Sequence, residues 1–339
     1  MSKSNFQSKI SVIIPTFNRP DFLLRLLNYY AEARYRHTLI IGDSSVKPYI
    51  EENRKNIEIF KQKLDLVYRE YPNHTEPQCT AELIKLASTP YLAWIADDDL
   101  LVPAGIEKCV SFLESDLDYV AAFGEGILFD LGTSQPYGEL SGFSLYSLMP
   151  NEAGTAAQRL LKHLESYTNT NFGVHRTEHF KKAYSRVVDL PDKGYTELLP
   201  NCVSAVQGKA KKLDCFYLVR QTHARRYRLP DSFDWVTSVN WFPSYQIFIQ
   251  TLSTEIAGHD SVDLDAAREA VKKAFWSYLK NGLMRKYDNS YGESALSDRK
   301  KQVVSSLKRL PLMDKYFLPF WRRIRKRNRA TLAIISDPS

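Results

Sequence analysis

Between residues 9 and 114 the sequence alternates four times between a short apolar run and a stretch with apolar residues at helical spacing. The runs are 9–16 (Ile10, Val12, Ile13, Ile14), 37–43 (Leu39, Ile40, Ile41), 64–70 and 91–96. The helical stretches are 21–33 (Phe22, Leu23, Leu26, Leu27, Tyr30), 48–62, 75–87 and 104–114. Parallel strands need a crossover between them, and helices supply it, so this alternation predicts an α/β fold. The expected architecture is a Rossmann-like, mostly parallel sheet flanked by helices. The fourth run shows no polar alternation, as expected of a strand buried on both faces.

That fourth run ends in Asp97-Asp98-Asp99, followed by Pro103 at a position suited to the first turn of a helix. Open α/β sheets bind ligands outside the carboxyl ends of their strands, so the three carboxylates mark the candidate site. Adjacent carboxylates repel one another and resist desolvation unless a cation or solvent compensates them. A hard divalent ion, Mg²⁺ or Mn²⁺, is one explanation; a solvated turn whose aspartates cap the next helix is the other.

After 104–114 the pattern gives a strand over 119–129, an irregular Gly-, Ser-, Pro- and Tyr-containing stretch over 130–150, and a helix over 155–165. A short strand over 169–175, helices over 177–185 and 197–207 with Gly208 as a C-cap, and a last strand over 210–219 follow. The loop 130–150 is long for a compact domain and is expected on the acceptor side. From residue 232 the pattern is helical, with Ser261 or Asp263 capping a run that has Leu264, Ala267, Val271, Phe275, Tyr278 and Leu279 on one face, and a further short helix expected over 298–307. The Trp- and Phe-rich stretch 234–249 reads as core. Two units result: residues 1–231 as a nucleotide-binding and catalytic domain, and 232–339 as a helical C-terminal extension with a basic tail.

Hydrophobic residues at 44% and charged residues at 25% over 339 residues are those of a globular chain with a proper core. The cysteines, Cys79, Cys109, Cys202 and Cys215, form no Cys-x-x-Cys pair, which argues against zinc and for reduced core residues of a cytoplasmic protein. No apolar stretch reaches the roughly 18 residues of a membrane span. The net charge of +7 is partly local, because residues 315–329 hold seven basic residues and no acid, interleaved with Phe317, Leu318, Phe320, Trp321 and Ile324. Such a tail fits either peripheral contact with the inner face of an anionic membrane or a terminal helix packed on the domain; no nucleic-acid-binding module accompanies it.

Ser11-Val12-Ile13-Ile14-Pro15-Thr16-Phe17-Asn18-Arg19-Pro20, Asp43 at the end of the second strand, the Thr89-Pro90-Tyr91 entry to Ala96-Asp97-Asp98-Asp99, and the 197–208 helix together resemble a family-2 glycosyltransferase of the GT-A fold, over roughly residues 9 to 225. The resemblance implies an inverting hexosyl- or N-acetylhexosaminyltransferase. It would move a sugar from a nucleotide-sugar to a saccharide or lipid-linked glycan acceptor, in surface polysaccharide synthesis. Pro15, Thr16, Asn18, Arg19 and Asp43 would then surround the nucleotide. A carboxylate beside uracil can accept its imide N–H, so Asp43 favours a UDP-sugar; the alternative for Asp43 is a turn or helix cap. Asn18 and Arg19 are equally suited to a turn.

By the same resemblance Asp97 would face the ribose or share the metal, Asp99 would bind the divalent ion directly, and Asp98 would lie beside the donor. The ion would neutralise the departing diphosphate. His223 would reach the metal or the diphosphate, and Arg225 the donor phosphates; a solvated basic loop is the alternative for these cations. Inversion needs a base for the acceptor hydroxyl. Family members carry a Glu-Asp pair with the Asp eleven positions before a helix-ending Gly; here Thr196-Glu197 stands there, which makes Glu197 the expected base and Asp192 the fallback. The departure from Glu-Asp keeps a non-catalytic, nucleotide- or glycan-binding scaffold open. A sugar nucleotidyltransferase would need a Gly-rich triphosphate loop after the first strand, and residues 16–21 contain no Gly.

Overall fold

A computed structural model describes residues 8–226 and 231–290. The expected helix over 298–307 and the basic tail over 315–329 lie outside these residues. The alternation read from the sequence is present as β1 (Ile10–Thr16), α1 (Pro20–Glu32), β2 (Thr38–Asp43), α2 (Lys47–Phe60), β3 (Leu66–Glu70), α3 (Glu76–Leu86), β4 (Tyr91–Trp94) and α4 (Pro103–Ser115), with β5 (Asp99–Leu101) inserted before α4. Then come β6 (Tyr119–Asp130), β7 (Gly142–Ser147), α5 (Ala156–Glu165), β8 (Val174–Arg176), α6 (Thr177–Tyr184), α7 (Lys193–Gln207) and β9 (Lys209–Thr222). The chain continues into α8 (Ser232–Val236), α9 (Trp241–Asp260) and α10 (Leu264–Ser290).

All nine strands belong to one sheet in the order β3-β2-β1-β4-β8-β6-β9-β5, with β7 on the side of β6. β1 pairs in parallel with β2 and β4, β2 with β3, and β6 with β9; β8, β5 and β7 run antiparallel to their neighbours. Each helix starts where the sequence permits it: Pro20 and Pro103 fill first turns, and Thr75 with Gln78 forms a capping box on α3. The strand period of two divides the core. Ile10, Val12, Ile14, Leu39 and Ile41 face one apolar cluster, with α1 and α4, while Ile13, Ile40 and Leu92 face the other. Trp235, Phe248, Val271 and Phe275 of the C-terminal helices complete that second cluster together with α7, so the helices after residue 232 share a core with the sheet. No helix among the described residues is long and apolar enough to cross a membrane.

Four local expectations need correction. The fourth strand stops at Trp94, and Asp99 begins β5, a short strand of its own that pairs with β9. The expected strand over 169–175 is a 3-10 turn, Thr170–Phe172, followed by the three-residue β8. The stretch 130–150 contains β7, which lies on the side of β6 with Phe143 and Leu145 exposed, so it is held by backbone pairing and not by a buried apolar face. The helix expected from Glu197 starts a turn earlier at Lys193, because Asp192 caps it by accepting from the N–H groups of Gly194 and Tyr195. Its closing Gly208 is extended (φ 179°) and not left-handed. What requires glycine there is space, since a Cβ would come within 2.4 Å of Val120 Cγ1.

The candidate active site

The carboxyl ends of β1, β2 and β4 bring the predicted residues together. Thr16 ends β1 directly beside Asp43 in the β1–β2 register, and its hydroxyl donates to Asp97 Oδ2 at 2.6 Å. Asp97, Asp98 and Asp99 are all buried. Three buried carboxylates in sequence demand positive charge, and the chain provides it from two directions. Arg19, on the loop after β1, pairs with Asp97 and reaches Asp98 Oδ2 at 2.7 Å. Arg220, on β9, donates from Nε to Asp99 Oδ2 at 2.7 Å, and the Gln221 N–H donates to Asp99 Oδ1 at 3.1 Å. The β5–β9 register sets Asp99 opposite Arg220, so strand pairing makes this contact.

Burial alone would raise all three aspartates. Asp98 nevertheless falls well below the usual carboxylate range, because His223 and Arg19 hold its charged form. Asp97 and Asp99 are held above that range by burial, against the pull of Arg19 and Arg220 respectively and with the push of the neighbouring Asp98 charge. Arg220 is flattened between two rings, 4.2 Å from the Phe172 centroid and 4.9 Å from that of Tyr146. Beneath the triad, Arg25 is fully buried. It donates to the Asp98 carbonyl at 2.6 Å, to the Pro136 carbonyl at 2.7 Å and to Gln221 Oε1, tying α1 to the aspartate turn, the 130s loop and the end of β9.

His223 is buried, stacks on Phe22 with centroids 4.7 Å apart, and has Nε2 2.9 Å from Asp98 Oδ2; its Nδ1 has no partner among the described residues. Arg225 turns away from the aspartates onto Asp21, at 2.6 and 3.1 Å, which folds the loop after β9 over the loop after β1. Asn18 is left-handed (φ 55°) and joins two turns: its N–H donates to Ser45 Oγ and its Oδ1 accepts from the Val46 N–H. Asp43 is fully buried, accepting from the Ser45 N–H at 2.8 Å, Asn53 Nδ2 at 2.7 Å and the Tyr68 hydroxyl at 2.6 Å. Pro15 pairs with Gly42 in the adjoining strand.

The donor set does not fit the expected metal centre. Asp99, the expected direct ligand, has both oxygens engaged by Arg220 and Gln221, and His223 turns Nε2 onto Asp98. No three His, Cys, Asp or Glu side chains among the described residues are grouped to hold a metal. As arranged, guanidinium groups supply the compensating charge that Asp97 and Asp99 were expected to draw from an ion.

Glu197 stands in the second turn of α7. Its carboxylate accepts from the Tyr167 hydroxyl at 2.9 Å, and Asn201 fixes that turn by donating to the Glu197 carbonyl at 2.8 Å. Burial raises its pKa above the ordinary glutamate value, while Tyr167, Arg220 and Asn169 oppose that shift. Because Arg220 is felt by both Glu197 and Asp99, it links the two sides of the site electrostatically. Asp192 cannot serve as the fallback base: its Oδ1 accepts from the Gly194 and Tyr195 N–H groups and from Trp235 Nε1 at 2.7 Å.

Arg25, Arg220, Gln221 and Tyr167 were not singled out from the sequence. Arg25 had a readable signal, being a cation three residues after Phe22 on the apolar face of α1. Arg220 and Tyr167 had none, since their contacts depend on strand register and helix packing.

A family model described as glycosyl transferase family 2 matches residues 11–185, just over half of the chain. No curated protein matches it by sequence. Among solved structures, the fold is similar to that of TarS 1–349 from S. aureus in complex with UDP-GlcNAc, with a TM-score of 0.56 and 14% identity over 84% of this chain and 76% of that one. TarS 1–349 in complex with UDP matches with a TM-score of 0.51 and 13% identity, over 83% of this chain and 75% of that one. The architecture is thus of the GT-A type.

Proposed function

Because the chain belongs to glycosyl transferase family 2, and so is a glycosyltransferase, we propose that it transfers a sugar from a UDP-sugar to a saccharide acceptor with inversion, in the synthesis of a cell-surface polysaccharide. The observation that carries this reading is the placing of one half-buried carboxylate, Glu197, across Arg220 from the aspartate triad. In a single displacement the acceptor hydroxyl gives its proton to Glu197. The freed oxygen bonds to the anomeric carbon, and the bond from that carbon to the diphosphate breaks on the opposite face, releasing UDP. A glutamate with a raised pKa holds a proton more readily than an exposed one and is correspondingly better matched to this task near neutral pH.

Pro15, Thr16, Asn18 and Asp43 border the end of the sheet where the nucleotide would lie, and the structural likeness to a UDP-bound protein supports uracil as its base. Asp97 and Asp98 hold Arg19 at that mouth, and Arg225 closes the loop beside it. Positive charge there would offset the charge that develops on the departing diphosphate. No step is assigned to a divalent ion, because Arg220 and Gln221 occupy both Asp99 oxygens and Arg19 bridges Asp97 and Asp98.

The test is a thermal-shift comparison of UDP-, GDP- and dTDP-sugars, followed by donor hydrolysis. UDP-sugars should raise the melting temperature by mass action. Glu197→Gln should retain that shift and lose hydrolysis and transfer by about 10²-fold or more. Equal hydrolysis by the wild type and Glu197→Gln would remove Glu197 from the base role, and a shift with GDP-sugars alone would overturn the donor assignment.

A further inference from the structure

α10 has two faces of different kinds. Ala267, Val271, Ala274, Phe275 and Leu279 are buried against the core shared with α7 and α9. The other face carries Lys273, Trp276, Lys280, Met284 and Tyr287, spaced by three or four residues and all exposed. Trp276 is 67% and Met284 51% exposed, large for apolar side chains of a folded helix. Between Lys272 and Tyr287 the sequence has five basic residues, Lys272, Lys273, Lys280, Arg285 and Lys286, and no acid. Glu269, one turn earlier, is already paired with Lys272 at 2.7 Å.

We propose that this face of α10 docks the protein on an anionic lipid surface, with Trp276 and Met284 entering the headgroup boundary and Lys273 and Lys280 meeting the lipid phosphates. A helix lying in a membrane interface combines an apolar stripe carrying Trp with flanking cations, and charge complementarity selects anionic lipid over neutral lipid. A soluble partner helix would be expected to need acids opposite the lysines and alternating charges to set its register, whereas two exposed lysines, Lys273 and Lys280, flanking Trp276 with no acid between them suit an anionic plane. The sequence beyond the described residues repeats the composition, with seven basic residues among Phe317, Phe320 and Trp321 over 315–329. The surface includes neither Glu197 nor the aspartates and does not depend on the donor assignment.

The experiment is flotation of the full chain with phosphatidylcholine vesicles with and without phosphatidylglycerol. The wild type should float with the anionic vesicles only, and less at high salt. Lys273→Gln/Lys280→Gln should lower the partition coefficient about thirty-fold. Trp276→Ser/Met284→Ser should lower it further while leaving the urea unfolding midpoint near that of the wild type, which shows that the variants fold. Three results overturn the proposal: a wild type that stays with the protein pellet, variants that float as the wild type does, which would assign binding to 315–329, or a wild-type dimer that both variants dissociate in sedimentation.

Discussion

The Glu197 carboxylate has one strong side-chain donor, the Tyr167 hydroxyl at 2.9 Å, and that bond favours the charged form while burial disfavours it. A general base must be deprotonated to work, so transfer should rise with pH through the Glu197 pKa. Tyr167→Phe removes the donor, lets burial act with less opposition and raises that pKa further. The acid limb of the kcat/KM profile should therefore move to higher pH, with the plateau rate little changed; an unmoved limb would show that another group controls it. At this scale the sequence supplied Glu197 and the three aspartates as types in a pattern, but not their partners. Arg220 meets Asp99 across 121 residues of chain, and nothing in the neighbourhood of either residue announces the other.

Among the elements, α7 is set by both its ends. Asp192 caps the first turn and also holds the Trp235 indole N–H, so Asp192→Ala should cost about 1–3 kcal/mol in urea unfolding. It should leave the transfer rate of the remaining folded protein near that of the wild type, the opposite of what loss of a base would do. At the other end, Gly208→Ala drives a methyl into Val120 and should destabilise by about 1–3 kcal/mol. Val120→Ala in the same chain should return part of that loss, an interaction visible in a double-mutant cycle. Equal losses with and without the Val120 change would mean that the backbone, not the contact, requires glycine. Element types were legible because β1, β2, β4 and α1 carry strong periodicity. The start of α7 and the strand β7 were not, because one depends on a cap that also serves a distant tryptophan and the other on edge pairing with its side chains left exposed.

For the molecule as a whole, two histidines record the cost of a closed core. Burial lowers His163 and His175 to about 4, against about 6.5 when unfolded. Between those values the unfolded chain binds more protons, so stability is fully present above pH 6.5 and is lost as pH falls towards 4, by up to about 3 kcal/mol for each residue. Urea midpoints measured across that window should fall accordingly, and His163→Leu should make the decline shallower; a midpoint flat down to pH 4 would refute the assignment. The sequence by itself determined the layered α/β architecture and the place of the aspartate triad, because period and strand-end chemistry are local properties that neighbouring residues express together. Only the tertiary structure decided what neutralises those aspartates, which glutamate feels Arg220 from across the site, and which face of α10 is left exposed. Charge compensation and burial are set by side chains that the fold brings together from far apart in the chain.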